Sequence, residues 1–303
     1  MSNGWAMSLR ANHRPGRRSN WAPLMTDTFI PEPPLVHDVP QTISPLVRRI
    51  TAANPSHMTG AGTNTYLVGA DEVLVIDPGP EDAAHTAAIV NAAEGRIRWI
   101  LCTHTHPDHS PGVPALKDQT GAEVMAWSNR NGLRTDRRLR DGDQVVTDEF
   151  TVTAVHTPGH AGNHLCFFLE DERMLFSGDH IMQGSTVVIT PPDGDMGAYL
   201  ESLAKVRALQ PAAIAPAHGH IITDPNAVID WYTEHRLERE AQLHGLLLEM
   251  GSARIAQLVE AAYVSLDPVL VPMAKRSVHA HLRKLANEGK VSGDGARGVW
   301  TTI

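Results

Sequence analysis

The chain has 303 residues, of which 42% are apolar and 20% charged. This is close to ordinary globular usage and excludes disorder as the main state, as well as collagen-like and coiled-coil architectures. No run nears the roughly 18 apolar residues of a membrane span, and two cysteines, Cys102 and Cys166, are too few for a disulfide-stapled secreted scaffold. The net charge of −8 is uneven: residues 27–234 hold 13 Lys and Arg against 27 Asp and Glu, whereas 272–303 hold six against two. An acidic body therefore carries a basic end, with room there for a local anionic partner.

In chain order, residues 1–40 read as a tail, disordered in part, and a proline-rich linker; Arg17-Arg18 lacks the apolar stretch of an export signal. Asn64–Val68 and Val73–Ile76 are β-branched runs that predict a hairpin, and 82–93 predicts a helix. Ile97–Leu101 is a short buried strand that opens into His104-x-His106-x-Asp108-His109. Further strands are predicted at 122–127, 144–155, 164–169, 173–177 and 212–216, and helices at 110–120, 195–209 and 226–249. Residues 253–262 and 275–288 read as helices, the second with Val278, Leu282 and Leu285 at i, i+4 and i+7. Residues 290–300 read as two strands about Asp294-Gly295, so the end of the chain has a winged-helix pattern. The predicted division is 1–40, a catalytic domain over 41–232, and a helical, winged-helix-like domain over 233–303.

Histidine is the abnormal residue: there are 17, nine of them between His104 and His220. Residues two apart in an extended loop point the same way, so His104 and His106 can close on one cation. Past the bend at Pro107, Asp108 and His109 can serve a second. Three later strand-like runs each end on a ligand type beside a glycine: His160 after Thr157-Pro158-Gly159, Asp179 after Phe176-Ser177-Gly178, and His218 before Gly219.

This set, in this order, resembles the metallo-β-lactamase superfamily over roughly residues 41–232. The resemblance implies an α/β chain folded as a four-layer αβ/βα sandwich, with two zinc ions per chain at the strand ends. It implies His104, His106 and His160 on the first ion, Asp108, His109 and His218 on the second, and Asp179 bridging both. Iron or manganese could load the same nitrogen-rich site. Water held between two such ions is acidified toward neutral pH and attacks a carbonyl or phosphorus centre. Asp108 and His164 are the candidate catalytic residues, Asp108 as a proton relay and His164 as a contact to substrate or to transition-state charge. Asp77 is expected either behind a ligand histidine or merely in a turn. His156, His180 and His220 stand beside ligands, and the run of Arg130, Arg134, Arg137, Arg138 and Arg140 is either a phosphate grip or a solvated face.

Asp179 stands where true β-lactamases carry another residue, and His106 where the oxygen-reducing di-iron branch has a carboxylate. Only 38 residues separate Asp179 from His218, too few for an inserted nuclease domain. With its winged-helix-like end, the chain looks like the β-lactamase-like protein 2 group, through residues 59–68, 157–164, 184–188, 199–203 and 279–291. His220 departs from that group, which commonly has proline there. The likeness implies cleavage of single-stranded RNA. The alternative is hydrolysis of a small-molecule thioester, in the manner of glyoxalase II, or of an ester or lactone. A third reading is a nucleic-acid-binding protein that uses Lys275, Arg276, Arg283 and Lys284. The expected setting is cytoplasmic, with RNA or a small ester or thioester as partner, no membrane, and a possible homodimer.

Overall fold

The apolar, β-branched runs of the sequence form two sheets with shared edges of chemistry. The structure, a computed structural model, describes residues 34–303; of the expected tail and proline-rich linker over 1–40, residues 1–33 lie outside them. One sheet holds β1 (Gln41–Thr42), β2 (Val47–Thr51), β3 (Asn64–Val68), β4 (Val73–Ile76), β5 (Ile97–Leu101), β6 (Glu123–Ala126) and β7 (Arg137–Arg138), in sequence order. It is antiparallel through β4 and parallel from β4 to β7. Parallel neighbours need crossovers, which α1 (Ala83–Ala93) and α2 (Val113–Thr120) supply for β4–β5 and β5–β6, and a loop over 127–136 for β6–β7. The other sheet holds β8 (Gln144–Val146), β9 (Thr151–His156), β10 (Leu165–Leu169), β11 (Met174–Gly178) and β12 (Ala213–Pro216), in the order β12-β11-β10-β9-β8. Here α3 (Met196–Ala208) makes the crossover between parallel β11 and β12.

Period-two alternation sorts the side chains into layers. Tyr66, Val68, Leu74 and Ile76 of the first sheet share a core with Leu165, Phe167, Leu169 and Phe176 of the second. The intervening Leu67, Val73 and Val75 turn to the opposite face, against Ile89 and Ala93 of α1 and Val113 and Leu116 of α2. At about 25 cal/mol per Å² of apolar area, these two continuous cores are the main source of stability.

Several boundaries differ from expectation for local reasons. The predicted strand over 144–155 is two strands, because Thr147 Oγ1 accepts the N–H groups of Glu149 and Phe150 and closes a turn. The helix expected from 110 starts at Val113: residues 106–113 are used in successive tight turns that present Asp108 and His109. The expected linker is anchored at its end, where His37 bonds the Ala61 carbonyl at 2.7 Å and Asp38 bonds His85 at 2.8 Å. The short strands β1, β2 and β7 were not expected at all.

Residues 35–187 and 192–233 form one compact unit, and 188–191 with 234–303 belong to a second. The helix α4 (Pro225–Met250) begins in the first and continues in the second. The second unit adds β13 (Ser252–Arg254), α5 (Ile255–Ala262), a 3₁₀ turn over Pro268–Leu270, α6 (Val271–Asn287), β14 (Val291–Gly293) and β15 (Val299–Thr302). Its sheet runs β13-β15-β14, and Val278, Leu282 and Leu285 of α6 bury against Leu258 and Trp300. The helix begins earlier than predicted because Asp267 caps the preceding turn and Pro272 sits in the first turn, where its missing N–H costs nothing. Among the described residues no helix is long and apolar enough to cross a membrane.

Candidate metal centre

Strand carboxyl ends deliver the site. β4 ends in Asp77, β5 in the 104–109 turn, β9 in the 157–160 loop, β11 in Asp179 and β12 in His218. Glycine is needed in the 157–160 loop: Gly159 has φ +144°, and a Cβ there would lie 2.4 Å from the Tyr199 Cα of α3.

The seven expected ligands fall into two groups, His104 with His106, His160 and Asp179, and Asp108 with His109 and His218. Metal–nitrogen bonds of about 2.0–2.1 Å at tetrahedral angles place ligand atoms roughly 3.3–3.4 Å apart. In the first group, His106 Nδ1 lies 2.9 Å from His104 Nε2 and 3.0 Å from His160 Nε2. Asp179 Oδ2 lies 3.4 Å from His160 Nε2 and 3.9 Å from His104 Nε2. In the second, Asp108 Oδ2 is 3.3 Å from both His109 Nε2 and His218 Nε2. Asp179 Oδ1 is 3.5 and 3.2 Å from the same two atoms. The two oxygens of Asp179 thus divide between the two groups.

Hydrogen-bond direction fixes which nitrogen is offered. Asp77 accepts from the Thr103 N–H (2.7 Å), the Thr103 hydroxyl (2.6 Å) and His109 Nδ1 (2.9 Å). Since the Thr103 hydroxyl donates to Asp77, it accepts from His104 Nδ1 at 3.0 Å. His218 Nδ1 donates to the Gly62 carbonyl at 3.2 Å. In all three rings the Nε2 lone pair is left facing the group. His109 Nε2 and Asp179 Oδ1 are buried acceptors with no hydrogen-bond partner, a costly arrangement that a cation between them resolves. The residues therefore fit a metal.

The electrostatics agree with the donor geometry. Burial, with His109 nearby, holds His104 well below the ordinary imidazole value, and burial with His160 holds His106 down to about 4. Burial would also lower His109 and His218, but the carboxylates win: Asp108, Asp179 and Asp77 push His109 well up, and Asp179 and Asp108 push His218 to about 9. Burial would raise Asp108 and Asp179, yet His109 and His218 keep both below the usual carboxylate range. The second group is a place that demands positive charge, which a proton or a metal ion can supply.

The other candidates sort differently. Asp108 is the open member of its group, with 24% of its side chain exposed. His164 is fully buried, and both its nitrogens are bonded inside the protein, to Thr157 and to the Asp179 backbone; this geometry gives it no substrate contact and supports a holding role. Asp77 does both things expected of it, taking a turn at φ +51° and orienting His109. His156 stacks on Trp127 at 3.6 Å, and His180 is buried beside Tyr199. Of the arginine run, Arg130 pairs with Asp193 at 2.7 Å, Arg137 with Glu123 at 3.4 Å, and Arg140 lies over Trp127. Sequence reasoning missed Thr63, which donates to Asp108 at 3.3 Å, and Asn64, which bonds the Pro216 and Gly219 carbonyls that flank His218. It also missed Asn131 and Asn163, both holding Thr105 inside the ligand turn.

Residues 58–218 match the metallo-beta-lactamase superfamily. The chain belongs to that superfamily. Residues 255–300 match the beta-lactamase associated winged helix domain. A beta-lactamase-like protein 2 homolog of Drosophila melanogaster is 33% identical over 265 residues, 81% of this chain and 89% of that one. An atrochrysone carboxyl ACP thioesterase of Aspergillus chevalieri is 35% identical over 265 residues, 83% and 84% of the two chains. Among solved structures, a beta-lactamase domain protein from Burkholderia ambifaria superposes with TM-score 0.76 at 22% identity, covering 91% of this chain and 96% of that one. A metallo-beta-lactamase family protein from Thermus thermophilus gives 0.71 at 21% identity, covering 86% and 100%. As a metallo-β-lactamase superfamily member the chain is a hydrolase with the metallo-β-lactamase fold and a winged-helix domain, and its His/Asp cluster is a candidate metal site.

Proposed function

We propose a binuclear zinc hydrolase that cleaves a small-molecule thioester or ester. The observation that carries the binuclear reading is Asp179, whose Oδ2 faces His104 and His160 while its Oδ1 faces His109 and His218. A nitrogen-rich, tetrahedrally spaced set suits zinc. His104, His106 and His160 would hold one ion, Asp108, His109 and His218 the other, with Asp179 shared. Two zinc ions so held supply an acidified water and polarise the scissile carbonyl. The chain's own residues do the rest. Asp77, Thr103 and the Gly62 carbonyl hold Nδ1 of their histidines, so that Nε2 is the atom turned toward the metal. Asp108 Oδ1, which has no hydrogen-bond partner among the described residues, is the atom that would take the proton given up by the attacking water and pass it to the leaving sulfur or oxygen.

Charge supports a carbonyl substrate over a polyanion. Residues 35–233 carry 13 Lys and Arg against 24 Asp and Glu, and Arg130 and Arg137 are already paired with acids. A phosphate backbone is bound chiefly by unpaired cations. The 35%-identical relative named as a thioesterase supports the same reading.

RNA cleavage is the second reading, favoured by the likeness to the β-lactamase-like protein 2 relatives and by the second unit. There Lys275 and Arg276 are exposed and have no ion-pair partner among the described residues, although Lys284 and Lys290 are neutralised by Glu240 and Glu288. A direct test assays the zinc-loaded protein on two probes, an acyl thioester read by thiol release and a fluorophore-quencher single-stranded RNA, each with and without chelator. Chelator-sensitive thiol release without RNA cleavage is the expected result. The reverse pattern replaces the thioester reading with the nuclease one, and activity on neither probe contradicts both.

A further inference from the structure

We propose that His164 is a positioning residue: it holds the Asp179 loop by accepting the Asp179 backbone N–H, through a proton-ordered relay that also fixes the loop of His160. The inference rests on the reading of Asp179 as the shared ligand.

Each hydrogen of the relay has one direction. A backbone N–H can only donate, so the contact of 3.2 Å from Asp179 N to His164 Nε2 makes Nε2 an acceptor. The neutral ring then carries its proton on Nδ1, which lies 2.9 Å from Thr157 Oγ1. The Thr157 hydroxyl, having accepted there, donates to Cys166 Sγ at 3.3 Å, and the Cys166 thiol donates to the Ser177 carbonyl at 3.6 Å. The chain therefore leaves the Asp179 amide and returns to Ser177, two residues earlier, bracketing the bend that aims the carboxylate. Cys102 has no such role, whereas Cys166 has a structural use that its small weak donor suits.

The bend itself leaves no slack. Gly178 has φ +50°, and a Cβ there would lie 2.7 Å from His164 Nε2 and 2.8 Å from Thr103 Oγ1. The strand register also shifts between Phe176 and Gly178, the kind of irregularity that re-aims a side chain. On its backbone side, His164 accepts from the Thr157 N–H at 3.0 Å, and the next residue, Leu165, donates to the Thr103 carbonyl at 2.7 Å. His164 and the adjacent Leu165 thus tie together the turns carrying His104, His160 and Asp179. A ring with both nitrogens so engaged is not a general acid or base for substrate.

The test uses the full-length protein and zinc alone. His164→Gln keeps an acceptor near the position of Nε2, whereas His164→Phe fills the space and orphans the Asp179 N–H. Chelator competition should show zinc affinity falling about 10–100-fold for His164→Phe, the usual cost of losing a partner behind a ligand, and staying within about threefold of native for His164→Gln. Zinc affinity unchanged in His164→Phe overturns the proposal. Long-range ¹H–¹⁵N NMR of the native, zinc-loaded chain gives an answer that needs no folded variant: the expected signature is a neutral His164 protonated on Nδ1, and an Nε2–H ring overturns the proposal. Native protein that binds no zinc would instead contradict the proposed function, which separates the two failures.

Discussion

Both units bury polar groups, and they do so to different ends. In the first, Asp77, Thr103, Thr157 and His164 are all buried, and their bonds run, directly or through one another, to His104, His109 and the Asp179 backbone. In the second, Glu240 sits 2.8 Å from Lys284 and 3.5 Å from His281, while Arg239 lies 4.1 Å from the Tyr263 ring and bonds the Ala262 carbonyl. That network joins α4 to α5 and α6, and its acceptors converge on no common point. Burial of charge alone therefore does not mark a site; convergence of unpaired lone pairs does.

Substitutions sharpen this contrast. The largest effect is expected from Asp179→Asn, which removes the one charge shared by both groups. Losing several kcal/mol of electrostatic stabilisation corresponds to a fall in hydrolysis of about a thousandfold, and zinc analysis should show sub-stoichiometric metal. Asp77→Ala should weaken zinc binding by about 10–100-fold, since His109 loses the acceptor that fixes its tautomer; native affinity in a chelator titration would reduce Asp77 to a turn residue. Glu240→Gln should do the opposite, leaving zinc content untouched while lowering stability by about 1–3 kcal/mol, because Lys284 and His281 lose the carboxylate charge they share. A urea midpoint unchanged from native would contradict that assignment.

The last effect concerns pH and is absent at neutrality. Burial, with Arg236 and Arg239 nearby, pushes His235 down to about 3. The folded state keeps this ring neutral while the unfolded chain protonates it below about 6.5. Stability should therefore decline as pH falls from about 6.5 toward 3, by at most about 1.4 kcal/mol per pH unit from this residue. His235→Gln should flatten that part of the stability profile, as followed by urea unfolding at several pH values.

The fold class and the two clusters of His and Asp were legible because both are local. Alternating apolar runs give strands, and a cation demands His and Asp at strand ends whatever the rest of the sequence does. What supports those ligands was not legible, since a threonine or asparagine reads the same in a loop as at a site. Thr103 meets Asp77 across 26 residues and Asn64 meets Gly219 across 155, and only the folded sheet makes them neighbours. Strand β7 was hidden for the same reason: Arg137 and Arg138 are exposed, carry no apolar pattern, and pair only because Met125 and Ala126 lie alongside. His164 was expected to contact substrate or transition-state charge, whereas its ring bonds Thr157, at the other end of its own loop, and the Asp179 amide beyond β11.

Two metal ions are expected to share Asp179, and anomalous diffraction at the zinc edge from native crystals grown with zinc would reveal them. Two peaks are expected, one among His104, His106 and His160 and one among Asp108, His109 and His218, with a carboxylate oxygen of Asp179 at each. A single peak, or zinc bound only elsewhere on the chain, would contradict this expectation.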